Sequence, residues 1–346
     1  MIHILEYIWL DANGNCRSKT KVVDLVNGIK LELCPEWNYD GSSTGQATTE
    51  NSEIILKPVK LYLDPFRRKE NAYLVLCEIF NVDGTPHNSN NRFKANEIFS
   101  KGIDLKPMFG LEQEFFISKE LDTGDLVPLG FFNKENCREQ GDYYCGVGGN
   151  NVIGKEIIED AMDNLLYSNI SITGMNAEVA PSQWEFQVCD IGISAADDLI
   201  LLRYICNRTF EKNNWVMDIR AKPKKGDWNG SGCHVNFSTL EMRLEGGLAT
   251  IYQAIKNLEK QHELHIKHYG DDNSERLTGE HETSSINDFS FGVGSRNTSI
   301  RIPNQTESNE KGYFEDRRPS SSLDPYKVTS LLYSTSIGMV QDYFTN

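Results

Sequence analysis

No apolar run in this chain approaches the roughly 20 residues a helix needs to span a bilayer. No Cys-x-x-Cys pair occurs among its eight cysteines, at positions 16, 34, 77, 137, 145, 189, 206 and 233. A helical membrane protein, a zinc knuckle and a redox dithiol are thereby excluded, and reduced, mostly buried thiols are expected. There is no basic tract, and 50 acidic against 35 basic residues give a net charge of −15. That field would repel a phosphate backbone, so nucleic acid is not an expected partner, nor is a membrane. The opening Met1-Ile2-His3-Ile4-Leu5-Glu6 carries neither an export pattern nor an organelle pattern, which makes cytoplasm the expected location. A Gly-x-x-x-x-Gly-Lys-Ser/Thr loop is also missing, and Gly146-x-Gly148-Gly149 falls short of a dinucleotide fingerprint. If a nucleotide binds, metals and arginines must hold its phosphates.

What remains is an ordinary globular composition, 39% hydrophobic and 25% charged over 346 residues, enough for a small and a large domain. The first part reads as β-rich. Ile8-Trp9-Leu10 and the Thr20 to Asp24 run flank Asn13-Gly14, a hairpin dipeptide, and Ala72 to Phe80 is a further strand candidate. The polar stretch from Asn81 to Asn91 places the domain boundary, giving domains 1–85 and 86–346. Beyond it, helices are expected over Glu156 to Tyr167, after a capping-box pattern at Ser194-x-x-Asp197, and as one long amphipathic helix from Ala249 to His268. A last helix opens at Asp324-Pro325.

Carboxylates are abundant in a telling pattern. Side chains two apart on a strand share a face, so Glu112 and Glu114 point together while Leu111, Gln113 and Phe115 point away. A hairpin turning at Ala180-Pro181-Ser182-Gln183 would set Glu178 opposite Glu185, with Trp184, Phe186 and Val188 packed behind. Two charges about 5 Å apart repel by about 3 kcal/mol at an effective dielectric near ~20, which calls for a cation between them. Oxygen-rich donors favour Mg²⁺ or Mn²⁺, and His234 is an admissible imidazole among them. Any one of these pairs alone is more often two solvated side chains on a wet sheet face, and a lone His234 a core histidine. Their combination weakens that reading. His234, Asn236 and Ser238 alternate with Cys233, Val235 and Phe237, so an imidazole, an amide and a hydroxyl share a face suited to metal and nucleotide. Arg296, Arg301 and Arg317 supply guanidinium forks for phosphate or carboxylate, with Arg317 on the face of Glu315.

On these residues the chain resembles the eukaryotic-type (type II) glutamine synthetase family. The likeness runs through Glu36 to Thr44, Phe109 to Glu114, Tyr143 to Gly148, Asn176 to Gln187, Trp228 to Thr239, His281 to Ser290 and Lys311 to Ser320. The resemblance implies an α+β fold: an N-terminal β-grasp domain, then a catalytic domain whose curved antiparallel sheet forms a half-open barrel flanked by helices. It implies two or three Mg²⁺ or Mn²⁺ ions per site, one held by Glu114, Glu178 and Glu185 and another by Glu112, His234 and Glu315. ATP, glutamate and ammonium are the implied substrates, and a decamer of two pentameric rings, with active sites between subunits, the implied assembly. Asp40, from the neighbouring subunit, and Glu282 match the ammonium pair, with Ser43 and Tyr144 nearby. Arg276, Arg296, Arg301 and Arg317, with Asn229 and Gly230, match residues that handle glutamate and phosphates. Glu185, Asn236, Ser238 and Tyr313 match nucleotide contacts.

The implied activity is ATP-dependent ligation of ammonia to the γ-carboxylate of glutamate through γ-glutamyl phosphate. The chain departs from the family at Val188-Cys189-Asp190-Ile191, one residue short, at Asp227, where asparagine is usual, and at Glu280, where an apolar residue is usual. A γ-glutamyl ligase for another amine and a catalytically silent oligomeric scaffold are the rival readings. The paired carboxylates favour ammonium over the first. A scaffold would have no chemical need for so many mutually repelling carboxylates.

Overall fold

The structure, a computed structural model, describes residues 1–25, 28–132, 138–339 and 344. Cys137 lies outside them; the seven described cysteines are free thiols, four of them buried. No helix among the described residues is long and apolar enough to cross a membrane.

The chain begins with β1 (Ile2–Leu10), β2 (Cys16–Asp24), β3 (Trp37–Asp40), β4 (Glu53–Leu63) and β5 (Ala72–Phe80). These form a sheet of order β2-β1-β5-β4-β3 in which β1 and β5 run parallel and the other pairs antiparallel. The Asn13-Gly14 turn closes β1 onto β2 with Gly14 at φ 78°, a conformation glycine adopts without a Cβ penalty. A short 3₁₀ turn, Gly41–Thr44, follows β3 and presents Asp40 at its N-cap.

The second part runs α1 (Asn91–Ser100), β6 (Met108–Glu120), β7 (Leu126–Pro128), α2 (Lys155–Tyr167), β8 (Ile172–Ala177), β9 (Gln183–Ile191), α3 (Ile193–Phe210), β10 (Val216–Asp218) and β11 (Cys233–Ser238). It continues with α4 (Gly247–Lys260), α5 (His262–His268), β12 (Phe291–Val293), β13 (Ile300–Ile302), α6 (Asn304–Ser308), β14 (Phe314–Asp316) and α7 (Pro325–Ser336). Its sheet has the order β12-β13-β14-β11-β6-β9-β8, with β7 and β10 also on β6. Pairing is antiparallel except between β12 and β13 at the edge. This is the α+β architecture expected, a β-grasp sheet followed by the half-barrel sheet with helices packed behind it.

The period-2 reading of β6 and β11 holds. Leu111, Gln113 and Phe115 are fully buried, as are Cys233, Val235 and Phe237, while Glu112, Glu114 and His234 face a cleft. The polar Gln113 survives in the core because its Oε1 accepts from Arg203 Nε at 2.8 Å and its Nε2 donates to Ser321 Oγ at 2.6 Å. Asp324 caps α7 by accepting from the N–H groups of Tyr326 and Lys327, with Pro325 at the first helical position.

Three local expectations are corrected. The hairpin between β8 and β9 turns one residue earlier than expected: Glu178 N–H donates to Gln183 O at 2.9 Å, Ser182 takes the left-handed φ of 63°, and Asn176, not Glu178, stands opposite Glu185. Ser194 and Asp197 form no capping box. Gly192 occupies the N-cap of α3 without a side-chain bond, and Asp197 lies inside the helix, where burial pairs it with Arg92 at 2.8 and 2.9 Å. The single helix expected from Ala249 to His268 breaks at Gln261 (φ −114°, ψ 19°), which turns α5 so that His265 becomes buried against Tyr269 and Thr335.

Candidate active site

A cleft of about 820 Å³, counted out to its open mouth, lies on the exposed face of the second sheet. Strand register builds one wall. Glu112 on β6 stands directly opposite His234 on β11, and Glu315 on β14 stands opposite both Asn236 on β11 and Arg301 on β13. One donor atom each from Glu112, His234 and Glu315 can be chosen within 4.8 Å of one another, the only such trio of histidine, cysteine or carboxylate groups found among the described residues. His234 Nδ1 faces Glu112 Oε2 at 3.4 Å and Glu315 Oε1 at 3.5 Å, while its Nε2 receives Arg276 Nη2 at 2.9 Å. Burial, reinforced by the Arg317 charge, holds the imidazole well below its ordinary pKa, in the neutral form that ligates metals.

The second group shares the cleft. Glu114 stands opposite Glu185 across β6 and β9, the directly opposed pair of like charges, and Glu178 joins them just past the end of β8. Burial raises all three pKa values: Glu114 to about 7, against the opposing pull of Arg276 and the Gly232 N–H, and, with repulsion from neighbouring glutamates added, Glu178 to about 8 and Glu185 to about 9. Burial also raises Glu112.

Each of these carboxylates is pinned through one oxygen by a neutral donor. Asn236 Nδ2 donates to Glu112 at 2.7 Å, Gly232 N to Glu114 at 2.8 Å, Asn176 Nδ2 to Glu178 at 2.8 Å and Gln187 Nε2 to Glu185 at 2.7 Å. The four carboxylates line one cleft, and among the described residues no lysine or arginine is bonded to any of them, a donor set suited to hard divalent ions. Asn176 and Gln187, absent from the sequence-derived candidates, carried a usable signal: each sits two residues from its glutamate and so on the same face. Gly232 is also fitted to the site, since a Cβ there would lie 2.5 Å from Arg276 Nη2.

These pKa values carry a stability prediction. In the metal-free protein the folded state binds more protons than the unfolded state from the ordinary glutamate range up to about pH 9, so the three glutamates cost stability as pH rises through that window. Glu185→Gln is expected to be more stable than wild type in chelator, by a margin growing at about 1 kcal/mol per pH unit between pH 6 and 8. Urea unfolding at several pH values reads this directly, and a margin independent of pH would contradict it.

Guanidinium groups and the mouth of the cleft form the opposite wall. Glu315 accepts from Arg317 Nη1 at 2.5 Å and Arg301 Nη1 at 3.0 Å. Arg296 Nη1 reaches Glu282 at 3.3 Å, and Arg317 Nη2 reaches the Glu282 carbonyl at 3.3 Å. Tyr144, Asn229, Gly230, Arg276 and Glu282 also line the cleft. Asn229 Oδ1 and Arg301 Nε are buried without a hydrogen-bond partner among the described residues, one acceptor and one donor in a space otherwise rich in bonds.

A second space of about 940 Å³, likewise counted out to open solvent, adjoins the first through Glu112 and Gln187. Its walls include Met108, Val188, Phe237, Asn236, Ser238 and Tyr313, so three of the expected nucleotide contacts fall together in the less polar of the two spaces, while Glu185, Arg296 and Arg301 line the first. Arg243, which sequence reasoning passed over, fixes Ser238 there by donating to its O and Oγ at 2.9 Å.

Asp40 and Ser43 line neither cavity. Asp40 is exposed and accepts from Ser42 Oγ at 2.6 Å and Ser43 Oγ at 2.7 Å, which holds its carboxyl below the ordinary range. Within one chain these two residues are not brought to the site.

Residues 1–82 match the glutamine synthetase β-grasp domain family, and residues 90–254 match the glutamine synthetase catalytic domain family. A glutamine synthetase of Candida glabrata is 48% identical over 341 residues, 98% of this chain and 90% of that protein. One of Neurospora crassa is 47% identical over 342 residues, 98% of this chain and 93% of that protein. A solved structure described as Plasmodium falciparum glutamine synthetase superposes with a TM-score of 0.78 at 19% identity, covering 97% of this chain and 71% of that one, a likeness of fold.

Proposed function

The chain belongs to the glutamine synthetase family and is an enzyme of glutamine synthesis; we propose that it ligates ammonia to the γ-carboxylate of glutamate through γ-glutamyl phosphate, using ATP. The observation that carries this reading is the cleft itself, with glutamates and His234 on one wall and Arg276, Arg296, Arg301 and Arg317 on the other. Such a site can hold an anionic substrate and a polyphosphate together only if cations intervene.

Glu112, His234 and Glu315 would hold one divalent ion and Glu114, Glu178 and Glu185 another. Mg²⁺ or Mn²⁺ bound there would supply Lewis acidity, neutralising phosphate oxygens during phosphoryl transfer. The nucleoside fits the second cavity against Asn236, Ser238 and Tyr313, which leads its phosphates past Glu112 into the cleft. Arg296 and Arg301 take phosphate oxygens, and the buried Arg301 Nε is a donor ready for one. Arg276 and Arg317 bind glutamate carboxylate oxygens with Asn229 and Gly230, and Asn229 Oδ1 accepts from the α-ammonium group.

The γ-carboxylate of glutamate attacks the γ-phosphorus, ADP leaves, and an acyl phosphate forms. Ammonium is drawn to Asp40 of a neighbouring subunit and to Glu282, with Ser43 and Tyr144 beside them. A proton passes to Asp40, and the ammonia attacks the acyl carbon and expels phosphate. The Ser42 and Ser43 hydroxyls keep Asp40 anionic, so capture of the cation is its stronger property. Closure of the Glu282 loop keeps water from the intermediate. The place of Asp40, exposed and outside the cleft of its own chain, supports active sites between subunits of a ring assembly, and a decamer of two pentamers is the assembly we propose.

The acyl phosphate is the testable step. With ATP, Mg²⁺ and glutamate, hydroxylamine should trap γ-glutamyl hydroxamate in step with phosphate release. Phosphate release without hydroxamate, at any hydroxylamine concentration, would rule the intermediate out.

A further inference from the structure

Glu282 sits on a loop whose backbone does not hold itself. His281 and Glu282 adopt φ values of 52° and 61° in succession, a left-handed pair that is costly for residues with a Cβ and persists only where surrounding contacts enforce it. The loop is a small ribbon. A bridge between Thr278 and Ser285 closes its base, and Thr283 Oγ donates within it to the carbonyls of Glu280 at 2.8 Å and Arg276 at 3.2 Å. Its tip is tied from outside: Arg296 and Arg317 reach Glu282 itself, and side chains from two other loops reach His281.

Gln140 provides one tie. Its Oε1 accepts from Asn229 N–H at 2.5 Å, which fixes the amide orientation and leaves Nε2 to donate to His281 Nδ1 at 3.3 Å. With Nδ1 accepting, the neutral imidazole carries its proton on Nε2, and that nitrogen faces Asp227 Oδ1 at 3.2 Å. One tautomer satisfies both contacts. His281 therefore joins three loops over the mouth of the cleft: the one carrying Gln140, the one carrying Asp227, Asn229 and Gly230, and its own.

We propose that His281, held between Gln140 and Asp227, is the positioning residue for Glu282. It locks the strained dipeptide so that the carboxylate faces the ammonium path, and it links that placement through Gln140 to the backbone of Asn229, where glutamate binds. This rests on the reading of the cleft given above. His281, which lines the mouth of the cleft beside Glu282, would thus govern capture of ammonium and retention of the acyl phosphate through the carboxylate it positions.

The test compares wild type with His281→Ala, His281→Asn and Gln140→Ala in steady-state assays of phosphate and glutamine. His281→Ala is expected to raise KM for ammonium about tenfold or more and to uncouple the reaction, releasing phosphate in excess of glutamine, with KM for ATP and glutamate shifted less than about twofold. His281→Asn keeps an acceptor for Gln140 and tolerates the left-handed backbone, so it should recover most of the ammonium affinity and the coupling. Gln140→Ala should show the ammonium defect together with a raised KM for glutamate. An unchanged ammonium KM and coupling ratio in His281→Ala would overturn the assignment. So would a uniform loss across all three substrates with no recovery in His281→Asn, the signature of general structural damage. Wild type that makes no glutamine would refute the functional reading instead, before any variant is considered.

Discussion

Glu315→Ala should lower turnover by about three orders of magnitude, the largest effect expected of a single cleft residue, because this carboxylate serves two opposite walls. It is one of the three groups that can share a divalent ion with Glu112 and His234. It is also the acceptor for Arg301 and Arg317, and only 3% of its side chain is exposed. Removing it strips a ligand and leaves two guanidinium groups facing a site without their counter-charge. Breaking a buried pair in this way costs about 3–5 kcal/mol of stability, so the variant should unfold at visibly lower denaturant in metal-free buffer. Glu315→Gln separates the effects. It keeps the shape and an acceptor oxygen for an arginine, so it should recover much of the stability and little of the turnover. A variant at position 315 that keeps more than a tenth of wild-type turnover would remove Glu315 from the site.

Asp40→Ala should abolish ammonium-dependent glutamine formation while leaving the fold intact, since Asp40 is exposed and its bonds are to Ser42 and Ser43 in the same turn. Its distance from the cleft of its own chain yields a stronger test. Glu178→Gln disables the cleft without creating a cavity and relieves a repulsion, so it should assemble normally. Mixing Asp40→Ala and Glu178→Gln subunits, dissociated and reassembled together, would pair an intact cleft with an intact Asp40 at roughly a quarter of the interfaces and restore about that share of activity. No recovery in mixed assemblies, with each variant inactive alone, would mean that Asp40 and the cleft act within one chain.

Much of this site was legible because strand periodicity is local. Glu112 with Glu114, and His234 with Asn236 and Ser238, could be placed on common faces from spacing alone, and the structure puts them there. The same holds for the Asn13-Gly14 turn and the Asp324-Pro325 helix start, where the residues themselves fix the backbone. What spacing could not fix was register between segments. The β8–β9 turn sits one residue earlier, with Ser182 in the left-handed region, and Glu178 lies beyond the strand end instead of facing Glu185. Asp197 looked like half of a capping box but answers to Arg92, 105 residues away in sequence. Gln140 and His281 were invisible as a pair for the same reason: 141 residues separate them, and only the folded loops bring them together.

Whether this chain makes glutamine is decided by phosphate release from ATP with Mg²⁺ and glutamate, measured with and without ammonium alongside glutamine. Release should depend on glutamate, rise with ammonium and match glutamine one for one. Release indifferent to ammonium, with no glutamine formed by folded protein, would contradict glutamine synthesis and turn attention to another amine acceptor or to a scaffold without catalysis.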